Sequence, residues 1–266
     1  MSDLQKKLLE MFAWLTDFID KNGLKYYVVG GTMLGAVRHN GFIPWDDDID
    51  IGMPREDYNK LIELLSSPIE HYVIESPKSQ AKDFVYAFSK FYDTNTSMTE
   101  DAKKKVKRGV YIDIFPLDGI GNEKKEALKN FKKIDRRNML LAMKTSKYRK
   151  ARKWWKNVAV FIGNFIPVSA KKLCKKLEVL CAKMDFDKCA YGGELLSTYR
   201  QKEVLPREIF GTPTAYKFEH LTVYGPEKAD EYLTALYGDW QKLPPEDKRC
   251  SAHDFVDLDL NKSYLE

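Results

Sequence analysis

From Asp48 to Met53 the chain reads Asp-Ile-Asp-Ile-Gly-Met. Residues two apart on an extended chain point to the same face. Asp48 and Asp50 therefore share one face, while Ile49 and Ile51 take the other and face a core. Two carboxylates so close repel strongly unless a positive charge lies between them. A hard divalent cation, Mg2+ or Mn2+, meets that need because it prefers oxygen ligands. A solvated acidic loop would account for Asp46 and Asp47, but it leaves the interleaved isoleucines unexplained. An EF-hand is excluded: its loop requires glycine at the sixth position and a long acid at the twelfth, where Ile51 and Asp57 stand.

One helix upstream, Tyr26 to Val29 reads as a short strand running into Gly30-Gly31-Thr32. Glycine lets the backbone come close to a ligand, and a helix N-terminus offers free N–H groups to a phosphate. The turn is not a Walker loop, since no Gly-Lys-Ser/Thr follows. It is not a dinucleotide fingerprint either, since Thr32 replaces the second glycine. Its placement just before the acid strand gives a common glycine pair its meaning: Gly30, Gly31 and Thr32 are candidate phosphate-binding residues.

A third carboxylate would complete a metal site or take a proton from an acceptor. Asp113 is the candidate. In Val-Tyr-Ile-Asp-Ile-Phe-Pro-Leu-Asp it leaves the strand on the face opposite Ile112 and Ile114. Asp118, after Pro116, reads as a loop or cap residue. Arg38 and Lys90 are candidate phosphate ligands. Arg38 lies at the far end of the helix that Gly31 opens, and Lys90 is a cation in an otherwise apolar strand, which implies an anionic partner. His39 and His253 are weaker candidates. Trp45 could stack on a base or belong to the core. No aromatic cluster near the motif announces a quaternary-ammonium cage.

With 266 residues, 44% of them hydrophobic, the chain can bury a sizeable core. Its net charge of +5 is unevenly spread. Lys124 to Lys156 holds fourteen Lys or Arg against two acids, which suits an anionic partner or a solvated helical face. Cys174, Cys181, Cys189 and Cys250 form no C-x-x-C pair and read as reduced thiols in a reducing compartment. Asp3, Glu10, Asp17 and Asp20 interrupt the N-terminus, so no secretory signal is expected there. That segment is an amphipathic helix instead, on Leu8, Met11, Phe12, Leu15 and Ile19. The most apolar run, Val158 to Val168, is broken by Asn164 and Pro167 and cannot cross a bilayer. A cytoplasmic protein, peripheral at the inner membrane face, is expected.

Strands are expected at Tyr72–Ile74, Phe84–Tyr92 and Val110–Phe115, with a polar loop between the last two. Helices are expected at Thr32–His39, after Pro54, and through the basic stretch to about Asp187, broken near Pro167. A hairpin near Tyr216–Val223 and a helix over Glu227–Leu236 follow. The fold class is α/β (α+β): residues 1–120 form a catalytic core with a small mixed sheet, and residues 121–266 form a mainly helical basic region packed on it.

The string GGTMLGAVRHNGFIPWDDDIDIGM closely resembles the signature of the LicD family of phosphocholine transferases, which is similar to the fukutin family. YIDIFPLDG (111–119) and YGDWQKLPPEDKR (237–249) look like later motifs of that family. The resemblance implies a nucleotidyltransferase-like fold, with Gly30, Gly31, Asp48, Asp50 and Asp113 in the active site. It also implies a CDP-choline donor, a hydroxyl on a cell-surface glycan precursor such as teichoic acid or lipopolysaccharide as acceptor, and release of CMP. Two rival readings differ in kind. One is a nucleotidyltransferase that attaches the nucleotide itself. The other is a non-catalytic nucleic-acid-binding protein using the basic region, against which no nucleic-acid module is visible.

Overall fold

The computed structural model describes residues 1–79, 81, 83–150, 153–251 and 255–266. Helix α1 (Asp3–Lys21) opens with a capping box, in which the Ser2 hydroxyl accepts from the Gln5 N–H and the Gln5 side chain accepts from the Ser2 N–H. Its buried stripe includes Leu8, Met11, Phe12, Leu15 and Ile19, the period that the sequence announces. Strand β1 (Tyr27–Val28) leads into α2 (Gly30–His39), two residues earlier than the sequence suggests. Strand β2 (Asp50–Pro54) passes straight into α3 (Arg55–Leu64).

Then come β3 (Tyr72–Glu75), β4 (Ser89–Asp93), β5 (Ser97–Glu100), β6 (Lys107–Arg108) and β7 (Tyr111–Gly121). The expected strand over 84–92 is thus confined to its C-terminal end. The expected polar loop contains two short strands, which form a separate sheet with β12 (Phe255–Asp259). After β7 the basic stretch folds into α4 (Lys124–Thr145), α5 (Trp154–Phe165) and α6 (Ala170–Cys181). Short strands β8 (Tyr191–Gly193) and β9 (Leu205–Pro206) follow, then the hairpin β10 (Thr214–Phe218) and β11 (Leu221–Gly225), and α7 (Ala229–Tyr237).

The main sheet has the order β1-β2-β7-β4-β3, with β8 and β9 attached to the far end of β7. Only β2 and β7 run parallel among its paired strands; the other pairs are antiparallel. The register carries the functional argument. Asp50 lies opposite Asp113, Asp113 opposite Lys90, and Lys90 opposite Glu75. Residues opposite one another across a sheet share a face. Four charged residues from four strands therefore form one row on one side, while Ile49, Ile51, Ile112 and Ile114 are fully buried.

β7 extends through Asp118 because its backbone there pairs with β8, Asp118 lying opposite Gly193, and the Asp118 side chain has a partner that the sequence pattern does not show. The Arg55 guanidinium grips Asp118 with two nitrogens, at 2.7 and 2.5 Å, and reaches Glu178 of α6 at 2.7 Å. Asp118 is therefore a buried partner at the strand–helix junction, not a loop or cap residue. The triad joins α3, β7 and α6, fastening the basic helices to the sheet.

The principal core runs from Leu4 to Leu236 and includes Leu205, Ile209, Phe210, Phe218, Val223, Tyr232 and Leu233. Residues after 121 thus divide. Helices α4 and α6 build a second core around Phe131, Ile134, Leu173, Leu177 and Cys181, whereas the chain from Phe186 to Leu236 returns to the first.

Candidate active site

Strand β2 starts at Asp50, so Asp48 lies in the extended run just before it. The alternation persists regardless: Ile49 is buried, and Asp48 and Asp50 are half-buried. Backbone bonds tie this run on both sides. The Asp113 N–H donates to Ile49 O at 3.0 Å, and the Val29 N–H donates to Asp50 O at 3.1 Å.

The glycine turn abuts the acids. Gly30 has φ +54°, a left-handed conformation that glycine adopts without strain, and a Cβ there would lie 3.5 Å from Asp50 Oδ2. A Cβ on Gly31 would come within 2.9 Å of Asp46 Oδ2. Any side chain at 31 would displace that carboxylate. Val29, at the N-cap of α2, has no side chain that can bond the first turn. The Gly30 N–H donates to the Tyr232 hydroxyl at 3.0 Å. Thr32 is buried, and its hydroxyl accepts the Asp50 N–H at 2.8 Å, so it locks the turn to the acid strand.

Lys90 is 2% exposed and lies 2.9 Å from Asp113 Oδ1. The anionic partner that its burial demanded is thus a protein carboxylate. Its ammonium also sits over the rings of Tyr111 and Tyr86, at 3.2 and 4.5 Å from their centroids, and 5.7 Å from that of Phe88. Both tyrosine hydroxyls donate to Glu100. The fold therefore gathers an aromatic cluster beside the motif, contrary to the sequence expectation. Its members come from a loop and one strand, and no local pattern links them.

The electrostatics follow from this crowding. Burial pushes the Asp50 carboxyl well above its ordinary value, and the charges of Asp48, Asp113 and Asp46 push it further against the pull of Lys90. Burial raises Asp113 to about 6, with Lys90 pulling down and Asp48 pushing up. Mutual elevation marks a site short of positive charge. Among the described residues no three His, Cys, Asp or Glu side chains are grouped as they would be to hold a metal ion. Lys90 accounts for part of this, since it already neutralises Asp113. The all-oxygen donors and the raised Asp50 carboxyl still fit a hard cation at Asp48 and Asp50, next to Asp113.

Two cavities adjoin the cluster. The smaller, about 370 Å3, is lined by Gly31, Arg38, Trp45, Asp46, Tyr199 and Trp240, among others. Arg38 donates to Trp240 O at 2.9 Å and to His39 Nε2 at 3.0 Å, which turns it toward the cavity shared with Gly31. Trp45 is half-buried, packs on the core and lines this cavity too. The late motif at 237–249 reaches the site here, through Tyr237, Asp239, Trp240, Lys242 and Pro244. The larger cavity, about 900 Å3, has Tyr86, Tyr111 and Glu100 at the end that meets Lys90. His253 lies outside the described residues.

The sequence reading missed Glu194 and Glu203. Both are buried, and Ser197 lies beside the Glu203 carboxyl. Burial raises Glu203 to about 8. Burial, then the charges of Glu203, Asp50 and Asp113, lift Glu194 well above the usual carboxylate range, so Glu194 stands within electrostatic reach of the acid row. The one local signal is Gly192-Gly193 before Glu194. A side chain on Gly193 would strike Glu203 O.

A mixed sheet with a glycine turn at a helix N-terminus, facing acids on the neighbouring strand, defines a nucleotidyltransferase-like enzyme site. Comparison with known proteins agrees and goes further. Residues 23–139 match the LicD/FKTN/FKRP nucleotidyltransferase domain. The lipopolysaccharide cholinephosphotransferase LicD of Haemophilus influenzae is 30% identical over 258 residues, 95% of this chain and 96% of that protein. The human ribitol 5-phosphate transferase FKRP is 36% identical over 59 residues, 22% of this chain and 12% of that protein. An uncharacterised Rickettsia prowazekii protein, RP689, is 46% identical over 63 residues, 23% of this chain and 24% of that protein. The chain belongs to the LicD family.

Proposed function

We propose that this chain moves a phospho-alcohol, phosphocholine first among candidates, from a CDP-alcohol donor to a hydroxyl of a cell-surface glycan, releasing CMP. The observation that carries this reading is the contact between the Gly30–Gly31 turn and the carboxylates of Asp46 and Asp50, with Asp113 across the strand pair. A turn that can cradle phosphate, set against acids that need a cation, is the arrangement a diphosphate and its counter-ion require. The two relatives with named activities are both phospho-alcohol transferases by their names.

The nucleotide end of the donor belongs in the smaller cavity. Trp45 and Trp240 line it with aromatic surface for a base, and Arg38 and Lys242 with positive charge. The larger cavity takes the alcohol and the acceptor. Attack by the acceptor oxygen on the phosphorus forms one P–O bond as the P–O bond to CMP breaks. The hydroxyl proton passes to a base. Asp113 suits that role, since Lys90 holds its Oδ1 and a pKa of about 6 keeps it ionised yet basic at neutral pH. Asp48 and Asp50, next to Asp113, would hold Mg2+ or Mn2+, which when bound offsets charge developing on the departing CMP. Thr32 fixes the acid strand to the turn, and Arg38 steers the diphosphate. The lysine-rich stretch 124–156 supports an anionic acceptor carried at a membrane face.

Incubation with CDP-choline, CDP-ribitol, CDP-glycerol and CTP, each with Mg2+ or Mn2+ and a glycan acceptor, tests the reading. Acceptor-dependent CMP release that is fastest with CDP-choline is expected. Pyrophosphate release from CTP, with a nucleotide left on the acceptor, would replace it with nucleotidyl transfer. Chelation is expected to stop turnover, and Mg2+ or Mn2+ to restore it.

A further inference from the structure

Helix α5 presents an apolar face to solvent. Trp154, Trp155, Val158, Phe161, Ile162 and Phe165 are each between 44 and 77% exposed. At 100° per residue they fall within an arc of about 120°. The opposite side is the one that packs. Asn157, Val160 and Gly163 are buried, and Gly163 lies so close to α4 that a Cβ there would meet Met143 at 2.8 Å. The helix is also moored from behind. The Lys144 ammonium donates to Gly163 O at 3.0 Å and to Ile166 O at 2.8 Å, and Asn157 exchanges hydrogen bonds with the backbone of Arg149. The outward face is therefore held in place, not a frayed end.

Charge selects the occupant. Tyr148, Lys150, Lys153 and Lys156 are exposed at the end where Trp154 and Trp155 emerge, and the Lys156 ammonium lies 5.6 Å from the Trp155 ring. The first turn of α5 has no acid and no side-chain cap. Lysines at the positive end of a helix are unfavourable in water. An anionic surface beside them reverses that penalty. A bilayer with anionic headgroups meets both features at once, with an apolar layer for the large side chains and negative charge at the level of the lysines. Twelve residues rise about 18 Å, short of the roughly 30 Å of a bilayer core. No helix among the described residues is long and apolar enough to cross a membrane.

We propose that α5 is an in-plane membrane anchor that seats Trp154, Trp155, Phe161 and Phe165 in an anionic bilayer surface. This rests on the peripheral placement expected from the sequence and on the proposed membrane-carried acceptor, and names the element responsible for it. It also orients the site. Lys144, Ser146 and Lys147, just before α5, line the larger cavity whose inner end meets Lys90. Lys144 both lines that cavity and bonds Gly163 O of α5, so a bilayer docked on α5 would hold a lipid-carried acceptor near it.

The test is flotation of the full chain with vesicles of phosphatidylcholine alone or mixed with phosphatidylglycerol, alongside a Trp154→Ser/Phe161→Ser/Phe165→Ser triple variant. The wild type is expected to float with the mixed vesicles and to release more strongly as salt rises. Its tryptophan emission should shift to the blue and be quenched by brominated lipid. The triple variant is expected to bind at least tenfold more weakly, with an unchanged melting temperature and unchanged CMP release from donor and soluble acceptor. If it floats like the wild type, peripheral placement stands and the anchor is wrong. If the wild type does not float, both are wrong. Concentration-dependent dimerisation abolished by the triple substitution, without vesicle binding, would make the face a self-association surface and overturn the proposal. The phosphotransfer reading is tested separately, by CMP release from soluble substrates.

Discussion

Strand β2 and helix α5 are both amphipathic, and they point opposite ways. In the run into β2 the isoleucines turn inward, and Asp48 and Asp50 stay half-exposed at a site. In α5 the small and polar residues Asn157 and Gly163 turn inward with Val160, and the aromatic residues stay outside. Periodicity tells which residues share a face; it does not tell which face meets the core. In β2 the burial of charge decides the matter, because carboxylates without a counter-ion cannot enter an apolar interior. In α5 the decision belongs to α4, whose Met143 leaves room only for a glycine.

The contrast can be broken in several places. The largest effect is expected at the acid strand. Asp50→Ala and Asp48→Ala should each lower turnover about 10³-fold or more. Melting should stay unchanged or rise for Asp50→Ala, because the lost charge was repelled by its neighbours. Activity assays with differential scanning calorimetry check both halves, and normal turnover in either variant would remove these acids from the chemistry.

Next comes the clamp between the acid sheet and the basic helices. Arg55→Met leaves the buried Asp118 without its cation and Glu178 with only the more distant, exposed Lys78 at 3.8 Å, and should cost about 3–5 kcal/mol in urea unfolding. A loss below about 1 kcal/mol would mean that the two regions are held together by apolar packing alone.

The two amphipathic faces then separate directly. Ile51→Ala should cost about 2–5 kcal/mol, the usual cost of a cavity in a packed core.

The pH dependence is smaller. The Glu203 pKa is raised from its ordinary value near 4.5 to about 8, so the folded state holds a proton that the unfolded chain gives up. Its contribution is complete below about 4.5 and fades as pH rises to about 8. Glu203→Gln should flatten the fall in stability over that window by at least about 1 kcal/mol, read from melts at stepped pH. An unchanged slope would place the titration elsewhere, with Glu194 the first alternative.

Smallest of all, Phe161→Ser should change stability by no more than about 0.5 kcal/mol, since it removes an exposed side chain. A cost like that of Ile51→Ala would show that the face is covered within the folded protein.

Much of the site was legible in the linear chain because its parts lie close together in sequence. The turn at Gly30–Thr32 and the acids at 46–50 are one short helix apart, and the alternation of acid with isoleucine gave their facing. Asp113 could be found because an acid inside an apolar strand needs a reason. Other features could not be read this way. Thr32's grip on the Asp50 N–H is a tertiary hydrogen bond between two segments that each look complete. Lys90's partner depended on β4 pairing with β7 in a register that puts it opposite Asp113. Asp118 looked like a loop residue because Arg55, its partner, is 63 positions away in sequence.

By itself, then, the sequence determined which residues share a face, where the glycine turn and the acids stand, and where positive charge accumulates. These are local properties, set by backbone period and side-chain chemistry. The tertiary structure decided which faces are buried, which charges are paired, that Glu194 and Glu203 gather near the acid row, and that α5 turns its aromatic side to solvent. Those outcomes depend on strand register and on helices meeting across long stretches of chain, where no local pattern reaches.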